Sequence, residues 1–250
     1  MRIDLNCDLG ETVDGQPTAD DAAMFAQISS ANIACGFHAG DADSMKASCD
    51  LAVQHGVAIG AHVSYLDTAN FGRSDVDIDR ATLIEHLVEQ IETLTRIADA
   101  AGAVVRYVKP HGALYNRIAR DAERADAVAE AVASCGPLPL MGLPESRIAH
   151  AASDHGLSFY REAFVDRAYT AHGMLVPRGE PGALVSADAV AERAVAIVAE
   201  RAVVAVTGER IRLDVDSLCV HGDTPGAVRM ATEVRAALEA SAITIASVAS

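Results

Sequence analysis

The sequence predicts an α/β protein in which a parallel sheet closes into a single-domain (β/α) barrel, residues 1–250, and three observations lead there. Short apolar runs alternate with helix-like segments from one end of the chain to the other. No Ser/Gly linker and no low-complexity stretch interrupts them. Reactive side chains fall just after the apolar runs, as they do where the carboxyl ends of parallel strands converge on one face. A chain of 250 residues fits one large barrel or two small domains, and short loops favour a closed barrel over an open, doubly wound sheet.

Strands are expected near 2–7, 31–35, 57–62, 103–109, 137–142, 157–163, 203–207 and 211–220, most of them short, apolar and bounded by Gly, Pro or His. Asp41 opens a helix that Gly56 closes. Asp79 caps a longer one, in which Leu83, Leu87, Ile91, Leu94 and Ala98 recur at helical spacing until Gly102. Thr224-Pro225 supplies an N-cap followed by proline at the first helical position. Between Val204 and Leu213 a Gly208-centred turn joins two apolar runs, which predicts a small β-hairpin breaking the βα rhythm near the C-terminus.

The formal net charge of −15 argues against a nucleic-acid backbone or an anionic membrane as partner, since both need a basic surface. No apolar run approaches a bilayer-spanning length and no signal-peptide pattern follows Met1, so a soluble, cytoplasmic protein is expected. The five cysteines include no Cys-x-x-Cys pair, which points to reduced thiols. Neither a Gly-x-x-x-x-Gly-Lys-Ser/Thr loop nor a Gly-x-Gly-x-x-Gly turn is present, so motifs alone do not support nucleotide binding.

Asp8, His38, His62, His111 and His221 all follow apolar runs, and they are the residue types that hold a divalent cation with imidazole and carboxylate oxygen. Any one of these histidines alone would more simply orient a loop. Together, so many titratable groups aimed at one mouth would repel or desolvate one another, which favours function. Lys109, ahead of Pro110-His111-Gly112, can place a point charge on a developing anion or a phosphate. Glu162 suits a base, and Arg167 an anion-orienting fork, although Asp166 and Arg167 explain each other equally well as an ion pair. Cys7, Cys35 and Cys219 also end strands, but a thiolate nucleophile ranks below the bland reading of small core fillers. Phe37, Tyr65, Phe71 and Tyr115 flank these motifs and could wall a small ring.

The stretches Asn6-Cys7-Asp8-Leu9-Gly10-Glu11, Asn32-Ile33-Ala34-Cys35-Gly36-Phe37-His38-Ala39-Gly40-Asp41, Phe71-Gly72-Arg73, Val108-Lys109-Pro110-His111-Gly112-Ala113-Leu114-Tyr115-Asn116, Asp166-Arg167-Ala168-Tyr169, Leu175-Val176-Pro177-Arg178 and Asp216-Ser217-Leu218-Cys219-Val220-His221-Gly222-Asp223 resemble the LamB/YcsF family. The resemblance runs from near residue 2 to about residue 240. It implies a seven-stranded barrel of the glycoside hydrolase/deacetylase type. It also implies a hydrolase, the ATP-dependent 5-oxoprolinase, working with two companion subunits (B and C) to open the small-molecule lactam 5-oxo-L-proline to L-glutamate while ATP becomes ADP and phosphate.

Within that resemblance Asp8, Lys109, His111 and Glu162 would be catalytic, with Asp8 or Glu162 the base for water and Lys109 offsetting charge on the carbonyl or phosphoryl oxygen. Asn6, His38, Arg167, Arg178 and His221 would bind substrate or phosphate. Asp8, His62 and His111 would hold a water or a divalent metal such as Mg, Mn or Zn. The chain departs from the family pattern in lacking tryptophan, in reading Val63-Ser64-Tyr65-Leu66 after His62, in Ser74 where a second arginine is usual, and at His172-Gly173. Two other readings stay open: a stand-alone metal-dependent amide or carbohydrate deacetylase, and a non-catalytic lactam-binding regulatory subunit.

Overall fold

Seven parallel strands close on themselves in the computed structural model, which describes residues 1–224 and 226–249. They are β1 (Arg2–Leu9), β2 (Ser30–Ala34), β3 (Ala58–Val63), β4 (Val105–Pro110), β5 (Leu140–Gly142), β6 (Phe159–Phe164) and β7 (Ser217–Cys219). Each pairs with the next, and β7 returns to β1 through Asp4↔Ser217, Leu5↔Leu218 and Asn6↔Cys219. The expected barrel is present. A short strand, Thr244–Ile245, adds to the start of β1 outside the closure.

The helices lie where their end signals put them. Asp41 caps Ala42–His55 with a reciprocal box to Ser44, and Gly56 ends it at φ 66°. Asp79 accepts from the Thr82 amide at the start of Arg80–Ala100, whose buried face holds all five residues read from the sequence as periodic, Leu83, Leu87, Ile91, Leu94 and Ala98. The last long helix, Ala227–Ala240, begins at an N-cap of Gly226, so Thr224 is not its cap, and Pro225 lies outside the described residues. No described helix is long and apolar enough to cross a membrane.

Two hairpins decorate the barrel. The C-terminal one pairs Ala202–Val204 with Arg210–Arg212, so the expected strand at 203–207 is a hairpin arm, and only the last part of 211–220 enters the barrel, as β7. A second, unexpected hairpin pairs Thr12–Val13 with Gln16–Pro17. Its turn is Asp14-Gly15, both at positive φ (51° and 72°), the pair a two-residue turn of the type I′ family favours.

The inside of the barrel is polar. Strands buried on both faces normally read as continuous apolar runs, yet β1 alternates Ile3, Leu5, Cys7 and Leu9 with Asp4, Asn6 and Asp8, all of them buried. The second set is tied into a ladder. Asp4 accepts from Ser29 (2.6 Å) and Ser30 (2.7 Å), and Asn6 donates to Ser217 (2.7 Å) and Glu162 (2.9 Å). Asn32 donates to Asn6 and Asp8 (both 2.8 Å), while Tyr107 donates to Asn32 (2.6 Å). Burial pushes the Asp4 carboxyl up, against the pull of the serines.

One glycine makes room for this ladder. A Cβ on Gly60 would sit 2.3 Å from the Tyr107 ring, so the fully buried tyrosine lies flat over β3 only because that position has no side chain. Gly60→Ala is expected to displace the ring, unhook Asn32 and cost about 1–3 kcal/mol, read as a lower denaturant midpoint at an unchanged slope. An unchanged midpoint would contradict this packing.

Candidate active site at the barrel mouth

Strand register sets out the groups at the carboxyl end. Asp8 on β1 stands opposite Asn32 on β2, His62 on β3 opposite Lys109 on β4, and Glu162 on β6 opposite Ser217 on β7. A cavity of about 350 Å³ opens above them. Asp8, His62, Lys109, His111, Arg167, Arg178 and His221 all line it, so residues dispersed through the sequence do share one pocket.

Lys109 is the centre of charge. Its ammonium, 1% exposed, lies 2.9 Å from Asp8 Oδ1 and 2.8 Å from Glu162 Oε1, with Asn6 Oδ1 at 3.2 Å and Cys219 Sγ at 3.3 Å. Burial alone would lower the lysine, but Asp8, Cys219 and Glu162 reverse this and hold it well above its ordinary value. Burial would raise Asp8, and His62 with Lys109 outweigh it, leaving that carboxyl ionised and well below the usual range. Tyr115 donates to the second oxygen of Glu162 at 2.9 Å. Asn6, expected to bind substrate, has both amide hydrogens on Glu162 and Ser217 and its oxygen on Asn32 and Lys109, so it positions the lysine from below.

Beside the lysine stands a histidine group. His62 Nδ1 donates to Lys109 O (2.9 Å), its Nε2 lies 3.3 Å from Asp8 Oδ2, and His111 Nδ1 is 2.9 Å from that same Nε2. His111 Nε2 donates to Phe71 O at 3.0 Å. That loop comes close because Gly72, at φ +65°, carries no Cβ, which would fall 2.7 Å from His38 Cβ and 2.9 Å from His111 Cδ2. His38 is 1% exposed and stacks behind His111 at 3.8 Å, out of the cavity lining where it was expected to meet substrate. Burial, then the neighbouring histidines, hold His111 well below its ordinary value, and burial with His62 does the same to His38. Burial and Asp8 push Glu11, 3.1 Å from His38 Nε2, up to about 8. Glu11, His38, His62 and His111 form a buried group that could hold a metal ion, and Asp8 touches it only through His62.

Arg73, Arg167 and Arg178 also line the cavity. Arg178 (3.3 Å) and Arg73 (2.5 Å) share Asp223 Oδ2. Arg167 is 5% exposed, donates to Val176 O at 2.6 Å and has no partner at Nε. Burial and nearby Arg178 lower it, against the pull of Asp166. The ion pair expected between Asp166 and Arg167 is not made: Asp166 instead takes His221 Nδ1 at 2.8 Å, and His221 stacks on Phe164 at 5.1 Å. A buried guanidinium without a carboxylate partner, facing a cavity, suits an anionic ligand. The thiols do not suit nucleophilic attack, since burial pushes Cys35 up to about 12 and Cys7 and Cys219 well above their ordinary value.

Glu11, Asn32, Tyr107, Arg73 and Asp223 were not among the residues expected at the site. Asn32 and Tyr107 carry a signal, since the alternations Asp4-Asn6-Asp8, Ser30-Asn32 and Tyr107-Lys109 mark a polar inner face at strand period. Arg73 and Asp223 end two of the quoted motifs, but nothing in the sequence pairs residues 150 apart.

The fold and the mouth together define a parallel (β/α) barrel of the hydrolytic kind, with carboxylates, imidazoles and a buried cation assembled at the strand ends. The chain belongs to the LamB/YcsF family, whose model matches residues 3–250. It is 51% identical over 245 residues to the 5-oxoprolinase A subunit of Streptomyces griseus, covering 97% of this chain and 98% of that one. It is 50% identical over 247 residues to the 5-oxoprolinase A subunit of Paracidovorax citrulli, covering 98% of each. The crystal structure of a lactam utilization protein from Thermus thermophilus superposes with a TM-score of 0.93 at 38% identity, covering 98% of this chain and 99% of that chain.

Removing the lysine should expose how much the site depends on it. Lys109→Met leaves the Asp8 and Glu162 carboxylates buried without their cation, and is expected to cost about 3–5 kcal/mol at neutral pH. Asp8 is held low in the wild type, so its contribution is present at neutral pH and lost as pH falls through its folded value. In the variant Asp8 protonates at higher pH, so the gap between the two proteins should narrow on acidification. A gap that is constant with pH in denaturant titrations would rule out the charge account.

Proposed function

We propose that this chain acts as the A subunit of an ATP-dependent 5-oxoprolinase, a hydrolase that opens the lactam of 5-oxo-L-proline to L-glutamate as ATP becomes ADP and phosphate. The relatives support the activity, with about half their residues identical over nearly the full length. The geometry that supports it best is one cavity lined both by Lys109, bracketed by Asp8 and Glu162, and by Arg167 with Arg178. A substrate carrying an amide and a carboxylate matches those two cationic groups.

A five-membered lactam is a stable amide with a poor leaving group, so converting its carbonyl oxygen to a phosphate ester replaces a difficult displacement with an easier one. In this reading Lys109 steadies the negative charge that grows on that oxygen. The incoming oxygen exchanges for the longest lysine contacts, to Asn6 and Cys219. Asp8, ionised and bordering the cavity, accepts the proton of the attacking water, while Glu162 holds the ammonium in line. His111 and His62 fix the Asp8 side of the pocket, and Arg167 and Arg178, with His221 beside them, orient the substrate carboxylate or a phosphoryl group.

ATP use belongs to the assembled enzyme, with the companion B and C subunits as partners, and the cytoplasm is its proposed setting, in keeping with five free cysteines. Purified together, the three proteins should form glutamate from 5-oxoproline only when ATP is present. Lys109→Ala and Glu162→Asp are expected to lower turnover by about 10²–10³-fold. Full activity in either variant removes these roles. Acetate release from acetylated sugars by the chain alone would favour the deacetylase reading instead.

A further inference from the structure

Apart from the lysine centre, the mouth contains a second set of converging donors. Glu11, His38, His62 and His111 are all buried, and one ligand atom from each lies within 4.8 Å of the others. Hydrogen bonds on the far side of each ring decide which nitrogen is bare. His62 Nδ1 faces the Lys109 carbonyl and His111 Nε2 faces the Phe71 carbonyl, and a carbonyl only accepts, so both of those nitrogens carry the proton. His38 Nδ1 lies 3.0 Å from Ser64 Oγ, whose own hydrogen goes to Tyr65 O, so Ser64 accepts from the imidazole. With one proton on each ring, the inner nitrogens are bare: His62 Nε2 faces His111 Nδ1 and Asp8 Oδ2, and His38 Nε2 faces Glu11 Oε1.

That arrangement is repulsive unless something positive lies among them. His62 Nε2 and His111 Nδ1 are 2.9 Å apart, His38 Nε2 and Glu11 Oε1 3.1 Å, and His111 Nδ1 and Glu11 Oε1 3.7 Å. These spacings straddle the roughly 3.4 Å edge of a tetrahedron whose metal–ligand bonds are about 2.0–2.1 Å. Imidazoles whose outer N–H is anchored on a carbonyl or hydroxyl are also what orients ligands around a bound metal.

We propose that Glu11, His38, His62 and His111 form a binding site for one first-row transition-metal dication of the Zn²⁺ class, a site independent of the lactam reading. Three nitrogen donors to one oxygen select against Mg²⁺ and Ca²⁺, which require oxygen. Asp8, expected to join His62 and His111 as a ligand, stays outside the converging set: Lys109 and Asn32 take its Oδ1, and its Oδ2 meets only His62. Glu11, His62 and His111 line the cavity and give the ion an entry path. The His38 and His111 rings are stacked, 7° from parallel, so loading tilts one of them. His38 is the ring that moves, since its anchor is a rotatable hydroxyl and that of His111 is a fixed carbonyl. Four protein donors leave no open position, so the ion's task is to lock His62 beside Asp8.

The test uses the full chain, stripped with a chelator and titrated with Co²⁺, whose visible absorption reports four-coordinate nitrogen and oxygen ligation. One equivalent should bind, be displaced by Zn²⁺ and ignore Mg²⁺. Glu11→Gln and His38→Ala should each weaken binding by at least about 10–100-fold, with circular dichroism confirming their fold, while His155→Ala, a partly exposed histidine on another face, should bind as the wild type does. Absence of cobalt bands and of zinc by elemental analysis in the wild type would overturn the site and leave a shared proton between His62 and His111. Undiminished binding in both variants would overturn it as well. Bound metal is the readout, so failure here is separable from failure of lactam turnover.

Discussion

Lys109 is a buried cation between two carboxylates, and the rest of the mouth is arranged so that it can stay there. Taking three charges out of water is expensive, and their attraction offsets that cost only with good geometry and few unpaired atoms. The ladder beneath supplies both. Asn6 holds Glu162 and Lys109 at once, Asn32 holds Asn6 and Asp8, and Tyr107 closes on Asn32. One lysine stands against Asp8 and Glu162, while Arg178 is paired with Asp223 and Arg167 has no carboxylate partner. The cavity lining thus contains two chemically distinct cationic groups, which suits a ligand with two unlike ends.

The barrel accepts a polar interior because its apolar contacts lie elsewhere. On β1 the residues that alternate with the ladder, Ile3, Leu5, Cys7 and Leu9, join the hydrophobic cluster that the helices complete through Leu83, Leu87, Ile91 and Leu94. Stability comes mainly from that outer layer. The inner face is then free to carry chemistry, at the cost of demanding hydrogen bonds such as those of Asp4 and Asn6. Gly60 shows how tightly the two requirements meet, since one methyl group there would meet the tyrosine that supports Asn32.

Much of this was legible in the sequence. His62, Lys109 and His111 end strands made largely of apolar residues, so strand position alone put them at one mouth. Strand number was less legible: eight apolar runs stood where seven strands close the barrel, and the run at 211–220 concealed a hairpin arm, a bend and the short β7. Glu11 went unassigned because it lies past Gly10, whose φ of 71° turns the chain before the carboxylate reaches the histidines. The Asp166 and Arg167 pairing failed because adjacent residues on an extended segment face opposite ways, and His221, brought in by β7, was the better partner. The anion-facing rim was only half visible, since the contact that ties Arg73 to Asp223 depends on closure of the whole barrel.

A crystal structure of the chain with 5-oxo-L-proline bound tests the central claim most directly. The ring carbonyl oxygen is predicted to lie against the Lys109 ammonium and the carboxylate against Arg167 and Arg178. A lactam bound in the reverse sense, or outside the cavity above Lys109, would contradict that account.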